Sequence, residues 1–444
     1  MTWWKKRLKE IFSLFPIIEI FVRGVIFLIY LFLKFFESLA MPHKDRVIAV
    51  NHHYEQDIEA MRLSGNELGI VSLKHNYIFG FANIFFKDQR FRDALIPYDA
   101  PEFEEARQRY RKFIMVIVVL LKSFFRHKAL ILPSDSFFWI REAVHIHREK
   151  GIPVIVIDKE GVIAPYYFKE WIPIIKKNYP FISDYLLVWS ERQRNFWSQI
   201  GVDNSAISVI GQPRSDFFFH PERWMSREKL GLPQTGKIVL FFTYEDDAYV
   251  PLKSMGEGKD WGPLRAETHQ IIRECAEKNR GTHFIIKCHP QQRDVSKVFK
   301  EFKGVKNAVV MTGSQSSNHL IVNSDLVICF QTTAFLDTHL TRKPIIYPAW
   351  GELFDELKDE GMLPFHRSKG ATICGKPSEF KKALESVAES GFEEIESEKI
   401  LKARREFVDG WFHSPNGETG RRMMDTVAGI IEGKYIKGLP PSLG

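Results

Sequence analysis

Two series of short apolar runs, separated by amphipathic or charged stretches, constrain this chain more than any other feature. The first series reads VIAV (47–50), LGIVSL (68–73), ALILP (129–133), PVIVI (153–157), YLLVW (185–189) and ISVIG (207–211). The second reads KIVLFFT (237–243), HFIIKC (283–288), NAVVMT (307–312), DLVICF (325–330), PIIYP (344–348) and ATICG (371–375). Each run is continuously hydrophobic, as a parallel strand covered on both faces must be, and helical stretches such as FEEARQRYRKFIMVIVVLLKSFF lie between them. This predicts an α/β fold of two Rossmann-like domains facing a cleft. The expected division is an amphipathic segment (1–40), a first domain (45–213), a turn-rich linker (214–236), a second domain (237–415) and a closing helix (416–436) that packs back across the domains.

Composition narrows the class. With 444 residues, 45% hydrophobic and 14% aromatic, the chain is a folded globular protein rather than a disordered one. A net charge of +7 favours anionic partners such as phosphates, nucleotides or acidic lipids. The charge run EFEEARQRYRK reads as a solvated helix face, and no nucleic-acid partner is expected. Cys275, Cys288, Cys329 and Cys374 form no CxxC pair and no zinc pattern, which points to a reducing cytosol. Gly256-Glu257-Gly258-Lys259 lacks the spacing of a phosphate-binding P-loop, and His145 and His147 do not face one another on a helix, so neither is assigned a role.

The N-terminal stretch MTWWKKRLKEIFSLFPIIEIFVRGVIFLIYLFLKFF is aromatic, with cations at its start. Glu19, Arg23 and Lys34 interrupt it, leaving no apolar run near the ~18 residues that a spanning helix needs. An interfacial helix is expected, with Trp3 and Trp4 at headgroup level and Lys5, Lys6, Arg7 and Lys9 on anionic lipid. The alternative is a helical hairpin on the protein's own surface.

Ligands of open α/β sheets bind beyond the carboxyl ends of the strands, so the chemistry belongs in the loops there. After DLVICF come Gln331, Thr332 and Thr333, followed by AFLDTHLTR, a helix expected to end before Pro344, with Asp337 near its first turn. Thr hydroxyls and a helix N-terminus suit a diphosphate, and Asp337 suits ribose hydroxyls; Thr333 as a simple helix cap and Asp337 as a dipole partner are the alternatives. FIIKCHP places Lys287 and His289 at a strand end, either for a ligand or as a solvated terminus. In ISVIGQPRSD, Arg214 fits either a phosphate or a hinge pair with Asp216. FFTYEDD adds Thr243 and Glu245.

The ordered set GQPRSD, IIKCHP and SDLVICFQTTAFLDTHLTRKPIIY resembles the bacterial CDP-glycerol glycerophosphotransferase and surface-carbohydrate biosynthesis group of GT-B glycosyltransferase-like enzymes. That group shows Gly-x-Pro-Arg-x-Asp, a His-Pro after a strand, and Asp-Tyr-Ser-Ser-x-x-x-Asp with Pro seven residues on; here Thr332, Thr333, Asp337 and Pro344 keep the spacing. The resemblance spans Ile207–Pro348, about a third of the chain, and departs at Phe330-Gln331, where the group has Asp-Tyr. It implies a GT-B-like fold and a transferase that moves a sugar or polyol-phosphate unit from a CMP-, CDP- or UDP-type donor to a polysaccharide or lipid-linked acceptor, with neither cofactor nor metal. Donor binding falls to Arg214, Thr243, Lys287, Gln331, Thr332, Thr333 and Asp337, with His289 or Arg214 stabilising the leaving phosphate. The first half carries no matching motif. From its residues, Glu160 and Asp158 after PVIVI are the candidate bases, Glu160 preferred because Gly161 suggests a tight turn that exposes it; pairing with Lys159 or Arg141 is the alternative. His52 and His53 are competing bases and acceptor contacts, one packed and one solvated being the ordinary arrangement for such a pair, and Ser134 is expected on the acceptor side. The expected location is the cytoplasmic face of a bacterial inner membrane, held peripherally. Two other functions share the architecture: a UDP-N-acetylglucosamine 2-epimerase-like isomerase, and a non-catalytic nucleotide- or glycan-binding scaffold.

Overall fold

The computed structural model describes residues 16–41, 45–290, 292–313, 315–390 and 397–434. Trp3, Trp4, Lys5, Lys6, Arg7 and Lys9 lie outside the described residues.

Every apolar run forms a strand. The first sheet comprises β1 (Arg46–Asn51), β2 (Gly69–Lys74), β3 (Ala129–Leu132), β4 (Val154–Ile157), β5 (Tyr185–Val188) and β6 (Ile207–Val209). The second comprises β7 (Lys237–Phe242), β8 (Thr282–Lys287), β9 (Ala308–Met311), β10 (Leu326–Cys329), β11 (Ile345–Pro348) and β12 (Thr372–Cys374). Both sheets are six-stranded and wholly parallel, in the orders β2-β1-β3-β4-β5-β6 and β12-β11-β10-β7-β8-β9. Chain order reverses between β1 and β3 in the first sheet and between β7 and β10 in the second. Each reversal opens a crevice beyond the strand ends, because the flanking helices leave to opposite faces.

Among the helices that frame the sheets and their strand ends are α1 (Pro16–Leu39), α2 (Glu55–Arg62), α3 (Glu104–Phe125), α4 (Gly262–Lys278), α5 (Ala334–His339) and α6 (Thr419–Ile431). Successive strand residues point to opposite faces, so β1 sends Ile48 and Val50 into one core with Ile114, Ile117 and Leu121 of α3. Val47 and Ala49 go into the other, with Met61 of α2 and Met423, Met424, Val427 and Ile430 of α6. The last helix thus covers the first domain's sheet. Asp216 fastens it there, accepting from the backbone N–H groups of Thr419 (2.9 Å) and Gly420 (2.6 Å). The crossing is close: Gly211 has φ +105°, and a Cβ on it would lie 2.8 Å from the His413 carbonyl oxygen.

No described helix is long and apolar enough to cross a membrane. Within the described residues, α1 is one continuous helix packed on the first domain. Phe27 and Leu31 are buried, the rings of Tyr30 and Tyr77 stack at 4.4 Å, and the Tyr30 hydroxyl accepts from the Lys74 N–H at 2.8 Å. Its other face leaves Val25, Ile26, Leu28, Ile29, Phe32, Leu33, Phe36 and Leu39 exposed.

α5 is shorter than the sequence suggests, stopping at His339. The Thr338 hydroxyl donates back to the Ala334 carbonyl (2.6 Å), and Thr341 Oγ1 donates to the Thr338 carbonyl while accepting from the Lys343 N–H. Hydroxyls that bond the local backbone compete with further helical turns.

Candidate functional site

A cleft of about 730 Å³ lies where the carboxyl ends of the two sheets face one another. Its second-domain wall is built from the β7, β8 and β10 loops and carries Thr243, Lys287, His289, Gln331, Thr332, Thr333 and Asp337. Its first-domain wall carries His53, Gln56, Lys159, Glu160, Gly161 and Trp189, with Arg214 at the junction. Gln56 reaches across, its Nε2 donating to Ser316 Oγ at 2.9 Å. Three non-glycine residues of the lining have left-handed backbone: His53 (φ 60°), Tyr249 (φ 57°) and Gln331 (φ 48°). Such strain persists only where the surroundings over-determine it.

On the second-domain wall, Thr333 makes no side-chain capping bond, so its hydroxyl is not consumed by α5. With only six residues in that helix, the hydroxyls of Thr332 and Thr333 count for more than any dipole. Gln331 turns inward: its Nε2 donates to Tyr347 Oη (2.7 Å) and the Leu363 carbonyl (3.0 Å), and its Oε1 accepts from the Leu363 N–H (2.9 Å). The side chain therefore holds the loop rather than a ligand. Lys287 is also committed, donating to the carbonyls of Cys288 (2.9 Å) and Gly313 (2.8 Å), and burial holds its ammonium below the ordinary lysine value. His289 stands exposed at the rim.

Asp337 is 5% exposed, and its Oδ1 has no hydrogen-bond partner among the described residues. Burial pushes its carboxyl up to about 7; the positive charge of Arg214 pulls it down and the negative charge of Asp57 pushes it further up. Arg214 does not pair with Asp216. Its backbone N–H donates to Asp57 Oδ1 (3.1 Å) and its Nη1 to Asp57 Oδ2 (3.4 Å), while its guanidinium lies 4.8 Å from the centre of the Trp189 ring. Asp216 is occupied with α6, which leaves Arg214 free to join the walls.

The first-domain candidates separate. Asp158 is buried and turned inward: Oδ1 accepts from the Glu160 N–H (3.1 Å) and Oδ2 from Trp197 Nε1 (2.6 Å). Burial raises its carboxyl to about 6, and it lies outside the cleft lining. Glu160 is presented to the cleft with its side chain 78% exposed, 3.5 Å from Lys159 Nζ. Arg141 is engaged elsewhere, with the carbonyls of Asp135 and Pro180. Gly161 is needed for a different reason from the one the sequence suggested. It has no left-handed backbone; a Cβ on it would come within 2.0 Å of the Trp189 ring. His53 is solvated in the lining, whereas His52 packs against His75 (4.1 Å) and Phe137 (4.9 Å), and burial pushes it down to about 3. Ser134 accepts from the Ser136 N–H (3.1 Å) and lies outside the lining.

The sequence model of the family described as CDP-glycerol:poly(glycerophosphate) glycerophosphotransferase matches residues 133–429. The chain belongs to this family. The match extends well beyond the motif region on both sides, taking in the β4 loop with Glu160 and the closing helix of this glycerophosphotransferase family member. No curated protein matches the sequence. Among solved structures, the S. aureus MnaA–UDP co-structure aligns with 90% of this chain and 100% of its own at 11% identity, with a TM-score of 0.53. UDP-GlcNAc 2-epimerase from Neisseria meningitidis bound to UDP-GlcNAc aligns with 86% and 99% at 13% identity, with a TM-score of 0.52. At such identity the likeness is one of fold, GT-B-like.

Four residues that shape this glycerophosphotransferase-family cleft escaped the sequence reading. Asp57 follows the first strand as His52 and His53 do, and the same post-strand rule applies to it. Trp189 immediately follows β5 and reads as one more apolar residue. Tyr249 sits in an irregular loop, and His269 lies on α4 behind the wall, bonded to Thr243. Only tertiary structure brings the last two to the site.

Proposed function

We propose that this protein transfers a polyol-phosphate or sugar unit from a nucleotide-activated donor to a surface polymer. What carries the proposal is family membership over 133–429 together with a cleft that sets a hydroxyl- and cation-bearing wall opposite an exposed carboxylate. The donor lies on the second domain. Thr332 and Thr333 donate to its diphosphate, Arg214 and His289 stabilise charge on the departing phosphate, and Asp337 accepts from a hydroxyl. The acceptor enters past His53. Glu160 takes the proton of its hydroxyl, the oxygen attacks phosphorus (or the anomeric carbon of a sugar), and the bond to the nucleotide phosphate breaks, releasing the nucleotide. UDP is the nucleotide in the S. aureus MnaA co-structure; here the family points to a CDP-type donor.

We further propose a peripheral position on the cytoplasmic face of a membrane, through the exposed apolar face of α1. The epimerase alternative has only a fold likeness behind it.

The test is a thermal-shift and turnover screen against CMP, CDP, UDP and CDP-glycerol, with and without acceptor polymer, repeated with Thr333→Ala. Stabilisation by one nucleotide that Thr333→Ala loses, and nucleotide release that requires acceptor, is the expected result. Epimerisation of a sugar nucleotide without acceptor, or no response to any donor, refutes the transferase proposal.

A further inference from the structure

Behind the cleft wall three side chains form a line that the proposed transfer chemistry does not use. Thr243, at the end of β7, lines the cleft, and its Oγ1 lies 2.9 Å from Nε2 of His269 on α4. The other ring nitrogen of His269, Nδ1, lies 2.5 Å from Oε2 of Glu301. His269 is 3% exposed, set edge-on to Phe241 at 5.3 Å, and neither it nor Glu301 lines the cleft.

Their bonding fixes the direction of every proton. An ionised carboxylate only accepts, so the proton facing Glu301 is on His269 Nδ1. Burial pulls the imidazole below its ordinary value, outweighing the upward pull of Glu301, so the ring is neutral near pH 7. Nε2 is then a bare lone pair, and the Thr243 hydroxyl donates its only proton to it. Towards the cleft, Thr243 has nothing left but lone pairs. A phosphate oxygen placed against it would meet lone pair with lone pair.

We propose that Thr243 is a dedicated hydrogen-bond acceptor for an O–H or N–H group of the donor substrate, with His269 and Glu301 as the positioning residues that set its polarity. This rests on the nucleotide-donor proposal and refines it: the diphosphate belongs to Thr332 and Thr333, and the nucleoside or polyol end, which carries hydroxyl and amino groups, belongs at Thr243. Both strand ends flank the β7/β10 reversal, so one donor molecule spans them.

Two measurements on the full chain decide it. In ¹⁵N-histidine-labelled protein at neutral pH, with His269→Gln to assign the signal, His269 is expected to carry its proton on Nδ1 and none on Nε2; a proton on Nε2 overturns the proposal. Titration calorimetry with CMP, UMP, 2′-deoxy-CMP and CDP-glycerol then compares wild type with Thr243→Val and Thr243→Ser. The valine variant should bind roughly tenfold more weakly and the serine variant normally. The penalty should disappear for the compound lacking the recognised group: UMP if it is the amine of the base, 2′-deoxy-CMP if it is the ribose hydroxyl. A penalty seen with CDP-glycerol alone assigns it to the polyol. Equal binding of wild type and Thr243→Val to all four overturns the proposal. Should wild type bind none of them, the nucleotide-donor proposal falls, and the NMR result still decides the polarity of Thr243.

Discussion

Arg214 and Asp57 lie 157 positions apart in the chain, yet Asp57 accepts from both the backbone N–H and the guanidinium of Arg214. The contact joins the N-terminal turn of α2 to the segment that leads out of the first domain. The guanidinium lies over the face of Trp189, and its charge also pulls the Asp337 carboxyl down. One arginine thus acts on two buried carboxyls, opposing the rise that burial gives each, while standing in the cleft lining.

Removing that arginine should therefore cost stability as well as activity. Asp57 is 2% exposed, and burial already raises its carboxyl against the pull of Arg214. Arg214→Ala leaves the acid buried and unpaired, at a cost of about 3 kcal/mol in urea unfolding. Protonation relieves the unpaired charge, so the folded-state pKa rises further above the unfolded one and the loss is larger at pH 8 than at pH 5. Arg214→Lys keeps the charge but neither the fork nor the planar contact with Trp189, and should recover only part of the stability. A loss independent of pH would show that the Asp57 charge is not what Arg214 serves.

Asp337 gives a second pH dependence with a definite sign. Its folded-state pKa, about 7, lies above the unfolded value near 3.8, so between those limits the folded state holds a proton that the unfolded state has released. Stability from this group is present below pH ~4 and lost as pH rises to ~7, a loss on the order of 4 kcal/mol at most. Asp337→Asn removes the titration. It should raise the melting temperature relative to wild type at pH 8, show little gain at pH 4.5, and abolish donor-induced stabilisation at both. Were the variant no more stable than wild type at pH 8, the buried carboxyl would not be titrating as its surroundings dictate.

Glu160 and Asp158, two residues apart, should respond in opposite ways. Glu160 is exposed and contributes no buried bond, so Glu160→Gln should leave unfolding within about 0.5 kcal/mol of wild type while turnover falls a hundredfold or more. Asp158→Asn disturbs the acceptor of both Trp197 Nε1 and the Glu160 N–H; it should destabilise by about 2 kcal/mol and lower activity only through the displaced loop. Comparing kcat with urea midpoints for the two variants separates the roles, and an active Glu160→Gln would transfer the base to His53.

These outcomes reflect a division in what the sequence made legible. All the strands were readable, because a parallel strand buried on both faces must be apolar at every position, and VIAV or DLVICF has no other way to be satisfied in a folded chain. The loops that bear the site came with the strand order. Side-chain direction did not, because it depends on neighbours from other elements: Asp158 turns in to Trp197, Gln331 to Tyr347 and Leu363, and Lys287 to the Gly313 carbonyl. Asp57 was missed although it sits in the helical turn just after β1, since its value comes from Arg214, far along the chain. The length of α5 was misjudged because Thr338 and Thr341 read equally well as helical residues until their hydroxyls are seen to bond the backbone.

The exposed face of α1 supports the last prediction. Leu28, Ile29, Phe32 and Leu33 are 53–62% exposed and recur at helical spacing, opposite the buried Phe27 and Leu31. Beside them α3 adds Met115, Val116 and Val119, also exposed, along a stripe bounded by Lys112 and Lys122. Phe35 and Phe124 hold the two helices together with ring centres 5.4 Å apart. An apolar surface continued across two helices and flanked by lysines fits the interface of an anionic bilayer. Leu33→Glu combined with Val116→Glu should abolish flotation on anionic liposomes. Both side chains leave water only on lipid, so the melting temperature should stay within a few degrees of wild type. Flotation on neutral liposomes should be weaker for wild type as well, because the lysines then have no partner. If the double variant still floats, residues 1–15 suffice for attachment and this face serves another purpose.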